Sequence, residues 1–257
     1  MRSIVLVSCV SLVSGLAGDG AWKTKPAIPE LQQSSPTEPS SERQKWDAFR
    51  FAKQSSKFVT LPNPFKSNKV RVVEPGETLW KASEKNDFDW FPLDDVVMGG
   101  VSESGFEQNS GLWSGTVTEA NNGGFVGIRT SPSFQLDMSK CKGIELKIAN
   151  SNGRRFKFIV RDSTDFNGIC WTSSFDSPKS NIFSSVLKKT ENFSSVKIPF
   201  NKQIPTIFAR SVPGQTFDLS NVVGFQCAYS KFEYDGDLNK NFELGDFSLQ
   251  LIEVCAY

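Results

Sequence analysis

The sequence predicts an all-β protein, a sandwich built from short strands. Apolar and polar residues alternate with a period of two in several stretches, which is the pattern of a strand with one buried face. Asn-Gly and Pro-containing breaks separate these stretches and are typical of turns. The chain contains 22 Phe residues, and such an aromatic content suits packed sheets better than helices. Because no helical stretch of ten residues lies between the predicted strands, we expect a β-sandwich.

Three runs show the alternation most clearly. In each run Ile, Leu, Phe or Val recurs at every second position, so we expect one buried and one solvated face per strand, with Phe158 on the buried face. The runs are 144–148, 156–161 and 247–251. Further strands are predicted at 112–118, 124–129, 169–175, 195–200 and 222–229. We assign all of them to one body, residues 76–257.

Residues 1–21 have the layout of a cleavable secretory signal peptide. Arg2 precedes an apolar run, 4–17, and small residues follow it. A run of about fourteen residues is too short to cross a bilayer, so no stable membrane span is expected. Cleavage after Ala21 would expose Trp22, and a signal peptide followed by an aromatic residue resembles the two-part plastid address of algae with complex plastids. The predicted destination is therefore the secretory route or a complex plastid, with the mitochondrion as the alternative.

Residues 22–75 have the composition of a linker or transit segment. Pro, Ser, Gln and Thr dominate, aliphatic residues are sparse, and no period of 2 or 3.6 persists. Ten basic and five acidic residues give the segment a net charge of +5. A transit segment and a solvated tail both fit this composition, and a short amphipathic helix over 42–51 is compatible with it.

The composition excludes several classes of function. The chain has no histidine, which removes Ser-His-Asp triads, Cys-His pairs and histidine metal ligands. Lys and Arg total 29 against 28 Asp and Glu, a net charge of +1, so we expect no nucleic-acid partner. No CxxC spacing occurs, so a zinc site is not expected.

Four cysteines lie in the predicted body. An even count in a secreted chain allows disulfides, with three connectivities, but cysteine is also a common core residue of strands. Cys227 and Cys255 would face one another if their strands pair. The other two are Cys141 and Cys170.

The most prominent candidate site is Asp94-Asp95, followed by a turn that contains Met98 and two glycines. A carboxylate pair beside a glycine turn suits a metal or sugar site. The structural alternative, which we favour, is a turn whose glycines adopt positive φ while the acids cap backbone N–H groups. An enzyme that pairs Asp94 with Asp162 is a further alternative, although nothing in the sequence sets the distance between them.

Three other groups of residues are candidates for binding. Arg154 and Arg155 follow an Asn-Gly turn and could grip a phosphate or an acidic partner, or simply form a hairpin tip. Trp171, together with Trp90 and Trp113, could stack on a sugar ring, although tryptophan in a sandwich is more often core. Acidic and amide residues alternate over 235–246 like calcium ligands, but the sixth position is Lys where an EF-hand requires Gly, so we favour a solvated loop.

Several strings in this order and spacing resemble the complex I intermediate-associated protein 30 family over roughly residues 76–257. The strings are DDVVMGGVS at 94–102, GTV at 115–117, EANNGGF at 119–125, GRRFKF at 153–158, VKIPF at 196–200 and FEL at 242–244. The chain departs from the family pattern at 150–153, at Phe193 and at 209–210. These departures leave the fold in place and put the identity of the partner in doubt.

The resemblance implies a jelly-roll sandwich similar to galactose-binding domains. It also implies a chaperone-like assembly factor for NADH:ubiquinone oxidoreductase, without catalytic residues or cofactor, whose partners are subunits or assembly intermediates of a membrane complex. Relatives in photosynthetic organisms suggest a photosynthetic complex instead. The alternative is a carbohydrate-binding module, because the same architecture often carries aromatic sugar platforms. A sugar site needs exposed coplanar aromatic rings, so the exposure of the three tryptophans discriminates between the two functions.

Overall fold

The computed structural model describes residues 45, 47–58, 70–131, 134–149, 151, 153–178 and 193–257. In this part of the chain a single α-helix, α1 (Ala48–Ser56), precedes fifteen strands. The strands are β1 (Arg71–Val72), β2 (Thr78–Lys81), β3 (Trp90–Pro92), β4 (Glu103–Glu107), β5 (Leu112–Val117), β6 (Phe125–Thr130), β7 (Leu136–Asp137), β8 (Gly143–Ala149), β9 (Arg155–Arg161), β10 (Cys170–Asp176), β11 (Ser194–Pro199), β12 (Ile204–Ile207), β13 (Arg210–Ser211), β14 (Gly224–Ser230) and β15 (Gly245–Ala256).

Two antiparallel sheets form the body of the protein. One has seven strands in the order β13-β12-β10-β9-β14-β6-β3. The other has the order β11-β8-β15-β5-β4, with β2 also paired to β15, and a short parallel pair, β1 with β7, completes the pairing. The chain changes between these two sheets at β2–β3, β3–β4, β5–β6, β8–β9, β10–β11, β11–β12 and β14–β15. These repeated crossings are the connectivity of a jelly roll, and the predicted all-β jelly-roll sandwich is confirmed.

Aromatic side chains from both sheets meet in the core. Trp113 of one sheet lies against Phe156 of the other with ring centroids 5.8 Å apart, and Phe247 lies 5.5 Å from Tyr229 in the same way. Phe158 has no exposed surface, so its assignment to the buried face is confirmed. The alternation predicted for β8 is likewise confirmed, since its Ile and Leu side chains are buried and those between them are not.

The solvated face predicted for 156–161 is wrong. Ile159 is 8% exposed, Lys157 6% and Arg161 4%, so β9 is buried on both faces. The physical reason is that loops cover the outer face of this central strand. Lys157 Nζ donates to the carbonyl oxygen of Phe232 at 2.7 Å, and Arg161 donates to the carbonyl oxygen of Asp165. Burial lowers the pKa of Lys157 to about 8.

Cys227 and Cys255 do not face one another across a strand pair. Cys227 lies in β14 of the seven-stranded sheet and Cys255 in β15 of the other sheet, so the pairing on which that expectation depended does not occur. The four cysteines of the body are free thiols.

Contacts with the body begin before residue 76. Val73 is fully buried in the core, and β1 pairs with β7 just ahead of it. The helix α1 lies within the segment predicted as a linker, later than the 42–51 stretch and overlapping it. Among the described residues no helix is long and apolar enough to cross a membrane. The predicted signal segment and the other residues before 45 lie outside the described residues.

Candidate partner-binding surface and its buried carboxylates

A 3₁₀ turn, Asp95–Met98, follows β3 and presents the motif of the first candidate site. The turn ends at Gly99, whose φ of +95° lies in the left-handed region that favours glycine. Met98 points outward and is 68% exposed. The turn therefore separates two buried carboxylates from one exposed apolar side chain.

The Asp94 carboxylate is fully buried and holds separate parts of the chain together. It accepts hydrogen bonds from Ser104 N at 2.9 Å and Ser104 Oγ at 2.6 Å, from Gln54 Nε2 at 2.9 Å, and from Gly127 N at 3.4 Å. Burial raises the pKa of Asp94 to about 6, although these hydrogen bonds act in the opposite direction. Its oxygens are occupied by the protein's own donors.

The Asp95 carboxylate joins the two most specific strings of the sequence. It accepts from Ser102 N at 2.9 Å and Ser102 Oγ at 2.6 Å within its own string, 94–102. It also accepts from Gly124 N at 2.9 Å and Phe125 N at 3.4 Å, which belong to the string at 119–125. The two strings therefore meet at one buried carboxylate.

Two glycines make room for that carboxylate. A Cβ atom at Gly100 would lie 2.3 Å from Asp95 Cγ, and one at Gly123 would lie 2.4 Å from Asp95 Oδ2. Neither distance is compatible with a side chain. The favoured structural interpretation of this turn holds in part: Gly99 has a positive φ and both acids accept from backbone N–H groups. Gly100 has no positive φ, and Asp94 makes no side-chain cap on the turn itself, since its N–H donors lie in other segments.

The helix α1 lies directly against this turn. Asp47 caps the helix by accepting from Phe49 N and Arg50 N, both at 2.9 Å. Gln54 pairs with Asp94 in two places, since its Nε2 donates to the carboxylate and its Oε1 accepts from Asp94 N at 3.0 Å. Arg50 Nη2 donates to the carbonyl oxygen of Ser102 at 2.8 Å. We call the exposed side of α1 and the turn the motif surface; its apolar members are Phe49, 78% exposed, and Met98.

Arg154 and Arg155 are both engaged within the protein. Arg154 is 7% exposed and donates to Tyr229 Oη at 3.1 Å and to Glu243 Oε2 at 3.2 Å. Arg155 forms ion pairs with Glu233 at 3.0 Å and with Asp176 at 2.8 Å. Both guanidinium groups therefore already have partners within the protein, and neither is free to bind a phosphate or an acidic partner in this arrangement.

The three tryptophans considered for a sugar platform are buried. Trp90 and Trp113 have no exposed surface, and Trp171 is 5% exposed. Trp171 stacks on Phe217 with ring centroids 4.6 Å apart and donates to Asp162 Oδ2 at 2.8 Å. None of these buried rings can stack on a sugar. The exposed coplanar aromatic rings that a carbohydrate-binding module would need are therefore not supplied by these three tryptophans.

Asp235 and Asn239, two of the alternating acidic and amide residues at 235–246, form hydrogen bonds within the protein. Asp235 accepts from Ser211 N at 2.8 Å and Ser211 Oγ at 2.6 Å, and Asn239 donates to the carbonyl oxygens of Arg155 and Ser230. Across the described residues no group of three or more Cys, Asp or Glu side chains could hold a metal ion.

The structure thus brings Asp94, Asp95 and Met98 together at one turn. Arg154, Arg155 and Trp171 have their contacts in other parts of the sandwich. Gln54 and Phe49 are not among the predicted site residues, because both lie in the segment predicted as a linker. The one local signal was Asp47, a favoured N-cap residue just before α1. Nothing local in the sequence pairs Gln54 with Asp94, 40 positions away.

The model of the family described as complex I intermediate-associated protein 30 matches residues 80–251. The chain belongs to this family. The matched range includes both strings that meet at Asp95 and the turn that carries Met98. A search of curated proteins finds no significant match.

Among solved structures, the chain is similar to the family 11 carbohydrate-binding module of the cellulosomal cellulase Lic26A-Cel5E of Clostridium thermocellum. The two are 18% identical with a TM-score of 0.45, over 72% of this chain and 96% of the module. The structure of PfGH50B is 10% identical with a TM-score of 0.35, over 66% of this chain and 22% of that one. Both likenesses are too distant to bear on function.

Proposed function

We propose that the protein is a non-enzymatic, chaperone-like assembly factor that binds a subunit or assembly intermediate of a membrane respiratory or photosynthetic complex. Membership of the family over residues 80–251 carries this proposal, because the family's name connects it with intermediates of complex I, the NADH:ubiquinone oxidoreductase. The departures at 150–153, Phe193 and 209–210 leave the choice of complex to experiment.

The chemistry of the motif turn supports binding over catalysis. The carboxylates that might act as an acid and a base are buried, and internal donors occupy their oxygens. A catalytic carboxylate must reach the reacting atoms, and Asp94, with no exposed surface, cannot do so in this arrangement.

The motif surface has the composition of a docking site for another protein. Phe49 and Met98 offer two large apolar side chains to solvent, on two elements that are held together by Gln54 and Asp94. Lys53 of α1 is exposed and adds positive charge beside it, whereas Arg50 faces inward, where its Nη2 lies 3.6 Å from Asp94 Oδ2. An apolar centre with a charged rim is typical of sites that bind protein partners.

The test is affinity purification of the tagged chain from detergent-solubilised membranes of its native cells, with identification of the subunits that copurify. Enrichment of subunits of one membrane complex supports the function. Met98→Asp and Phe49→Asp are each expected to reduce that recovery roughly tenfold, as for a central apolar contact of an interface. Both side chains are exposed, so thermal stability should remain unchanged.

Leu238→Asp is the matched control, since Leu238 is 61% exposed in a loop outside the motif surface. If Leu238→Asp loses the copurified subunits while Met98→Asp and Phe49→Asp retain them, the docking site lies at that loop and not at the motif surface. If no membrane-complex subunit is enriched with the unaltered chain, the proposed function is wrong.

We further propose that the N-terminal segment sends the protein to the secretory route or a complex plastid. Imaging a fluorescent fusion of residues 1–75 tests this, and fluorescence in mitochondria would reject it. Asn192 begins the one glycosylation sequon of the predicted body and lies outside the described residues. A glycan at Asn192, detected as a mass change with glycosidase, would place the folded protein in the secretory lumen and reject the plastid.

A further inference from the structure

Two arginines from nearby strands lie on the outer face of the seven-stranded sheet. Arg129 is in β6 and Arg161 in β9, and β14 lies between these strands and pairs with both. The β14 residue opposite Arg129 is Gln226, and the one opposite Arg161 is Gly224. Arg161 is 4% exposed and Arg129 is partly buried. Burial, and then the positive charge of Arg161, lower the pKa of Arg129.

The contacts of Arg129 leave its charge without a counter-ion. Its Nε donates to the neutral Gln226 Oε1 at 2.9 Å. The guanidinium lies over the rings of Phe58 and Phe166, with Cζ 5.5 Å and 4.9 Å from the two ring centroids. These rings orient the guanidinium and partly shield it from water, which strengthens its attraction for an anion.

Arg161 makes equally neutral contacts. It donates to Cys170 Sγ at 2.9 Å and to the backbone carbonyl oxygen of Asp165. The carboxylates of this loop are turned to other donors. Asp162 Oδ2 accepts from Trp171 Nε1 and Asp218 N, and Asp165 Oδ1 accepts from the backbone N–H of the residue two positions later. Among the described residues, therefore, no carboxylate forms an ion pair with either arginine.

Both arginines line one small pocket of about 20 Å³. Ser163 and Thr164 add hydroxyl groups to its wall, and Gly224 keeps it open because it has no side chain. Space of this size encloses about one water-sized group, so a sugar ring or a nucleoside does not fit inside it and a larger anion would sit partly outside it. Two positive charges that are partly removed from water at one pocket raise the free energy of the folded protein, and a bound anion would offset this cost.

We propose that Arg129 and Arg161 form a binding site for a phosphoryl group, either as free phosphate or as a phosphomonoester. Two guanidinium groups supply a charge of +2, which matches the charge of about −1.5 to −2 on a phosphomonoester at neutral pH better than the single charge of a carboxylate. The planar forks of arginine suit the oxygens of phosphate, and the hydroxyls of Ser163 and Thr164 supply further donors. This site shares no residue with the motif surface and does not depend on the proposed function.

The test is titration of the full chain with inorganic phosphate at constant ionic strength. Calorimetry measures the binding, and thermal unfolding measures its effect on stability. Phosphate is expected to bind saturably and to raise the unfolding temperature, whereas chloride at equal ionic strength is not. Acetate, with one charge, should bind more weakly. O-phosphoserine that binds as tightly as phosphate would indicate a phosphorylated partner, and phosphate that binds much more tightly would indicate the free ion.

Variants connect the binding to the two arginines. Arg129→Gln should weaken phosphate binding roughly tenfold or more, and Gly224→Val should do the same by filling the pocket. Arg210→Gln is the matched control, because Arg210 is exposed in β13 and does not line the pocket. Absence of saturable phosphate binding by the wild type, or wild-type affinity in both Arg129→Gln and Gly224→Val, would overturn the proposal. If Arg210→Gln weakens phosphate binding as much as Arg129→Gln does, the binding depends on overall charge and not on this site, and the proposal is wrong.

Discussion

At the scale of single residues, the buried carboxylates of the motif turn act as connectors. Each accepts hydrogen bonds from backbone and side-chain donors in more than one segment, and such donors compensate a buried charge. Removing one of these carboxylates would leave several donors unpaired. They therefore fix the position of the turn that carries Met98.

The titration of Asp94 gives a prediction about stability against pH. Its pKa is 3.8 in an unfolded chain and about 6 in the folded protein, so the folded state holds a proton here that the unfolded chain releases. The stabilisation is fully present below about pH 4 and is lost as pH rises through about 6. Relative to Asp94→Asn, the wild type should lose up to about 3 kcal/mol of unfolding free energy between about pH 4 and 7.

Urea unfolding across this pH range measures the difference. Asp137→Asn is a suitable control, because a hydrogen bond from Ser139 lowers the pKa of Asp137 and puts its titration below the range. Its difference from the wild type should be constant with pH. A constant difference for Asp94→Asn as well would show that Asp94 is already ionised at pH 4.

Phe158 provides the prediction for the core. Phe158→Ala removes a fully buried ring that stacks near Phe225, so it should lower the unfolding free energy by about 3–5 kcal/mol. Phe49→Ala, at a side chain that is 78% exposed, should change it by less than about 0.5 kcal/mol. Chemical denaturation of the two variants checks both values. An effect below about 1 kcal/mol at Phe158 would contradict its place in the core.

At the scale of elements, the turn, α1 and the start of β4 form one connected unit. Asp94 binds α1 through Gln54 and binds β4 through Ser104. Asp95 adds the segment before β6 through Gly124. Displacement of any one of these elements would disturb the others, so the position of Met98 depends on all of them.

Glycine substitutions in the turn separate steric from conformational effects. Gly100→Ala places a Cβ 2.3 Å from Asp95 Cγ and should destabilise the protein by about 2 kcal/mol or more. Gly99→Ala meets no atom within 4 Å, so it should cost only the strain of its positive φ, about 1–2 kcal/mol. Gly105→Ala, in an open position of β4, is the control and should be nearly neutral. Equal unfolding midpoints for Gly100→Ala and Gly105→Ala would refute the close contact.

At the scale of the whole molecule, the sandwich begins before the predicted boundary at residue 76. A chain of residues 76–257 should still give a β-type circular dichroism spectrum, because both sheets lie within it. It should be less stable than residues 45–257, since it lacks the buried Val73, β1 and the docked helix α1. Thermal unfolding of both fragments tests this. Equal midpoints would mean that 45–75 adds nothing to the fold, and a mainly helical spectrum would reject the sandwich.

The sequence by itself determined the all-β class, the positions of the main strands, the buried face of β8 and the place of Phe158 in the core. These follow from the period-two geometry of a strand, which is local and therefore visible in the order of residues. The family followed from strings of residues that the family model also matches. The positive φ of Gly99 was accessible for the same local reason.

Only the tertiary structure decided what covers each face and which distant residues meet. The burial of Lys157 and Arg161, the union of Asp94 with Gln54 and of Asp95 with Gly124, and the enclosure of Trp171 all depend on contacts between segments far apart in the chain. The placement of Arg129 and Arg161 at one pocket has the same origin, since their strands are brought to either side of β14 by the sheet. Alternation specifies which side chains share one face of a strand. Which loop or helix covers that face depends on the packing of the whole sandwich.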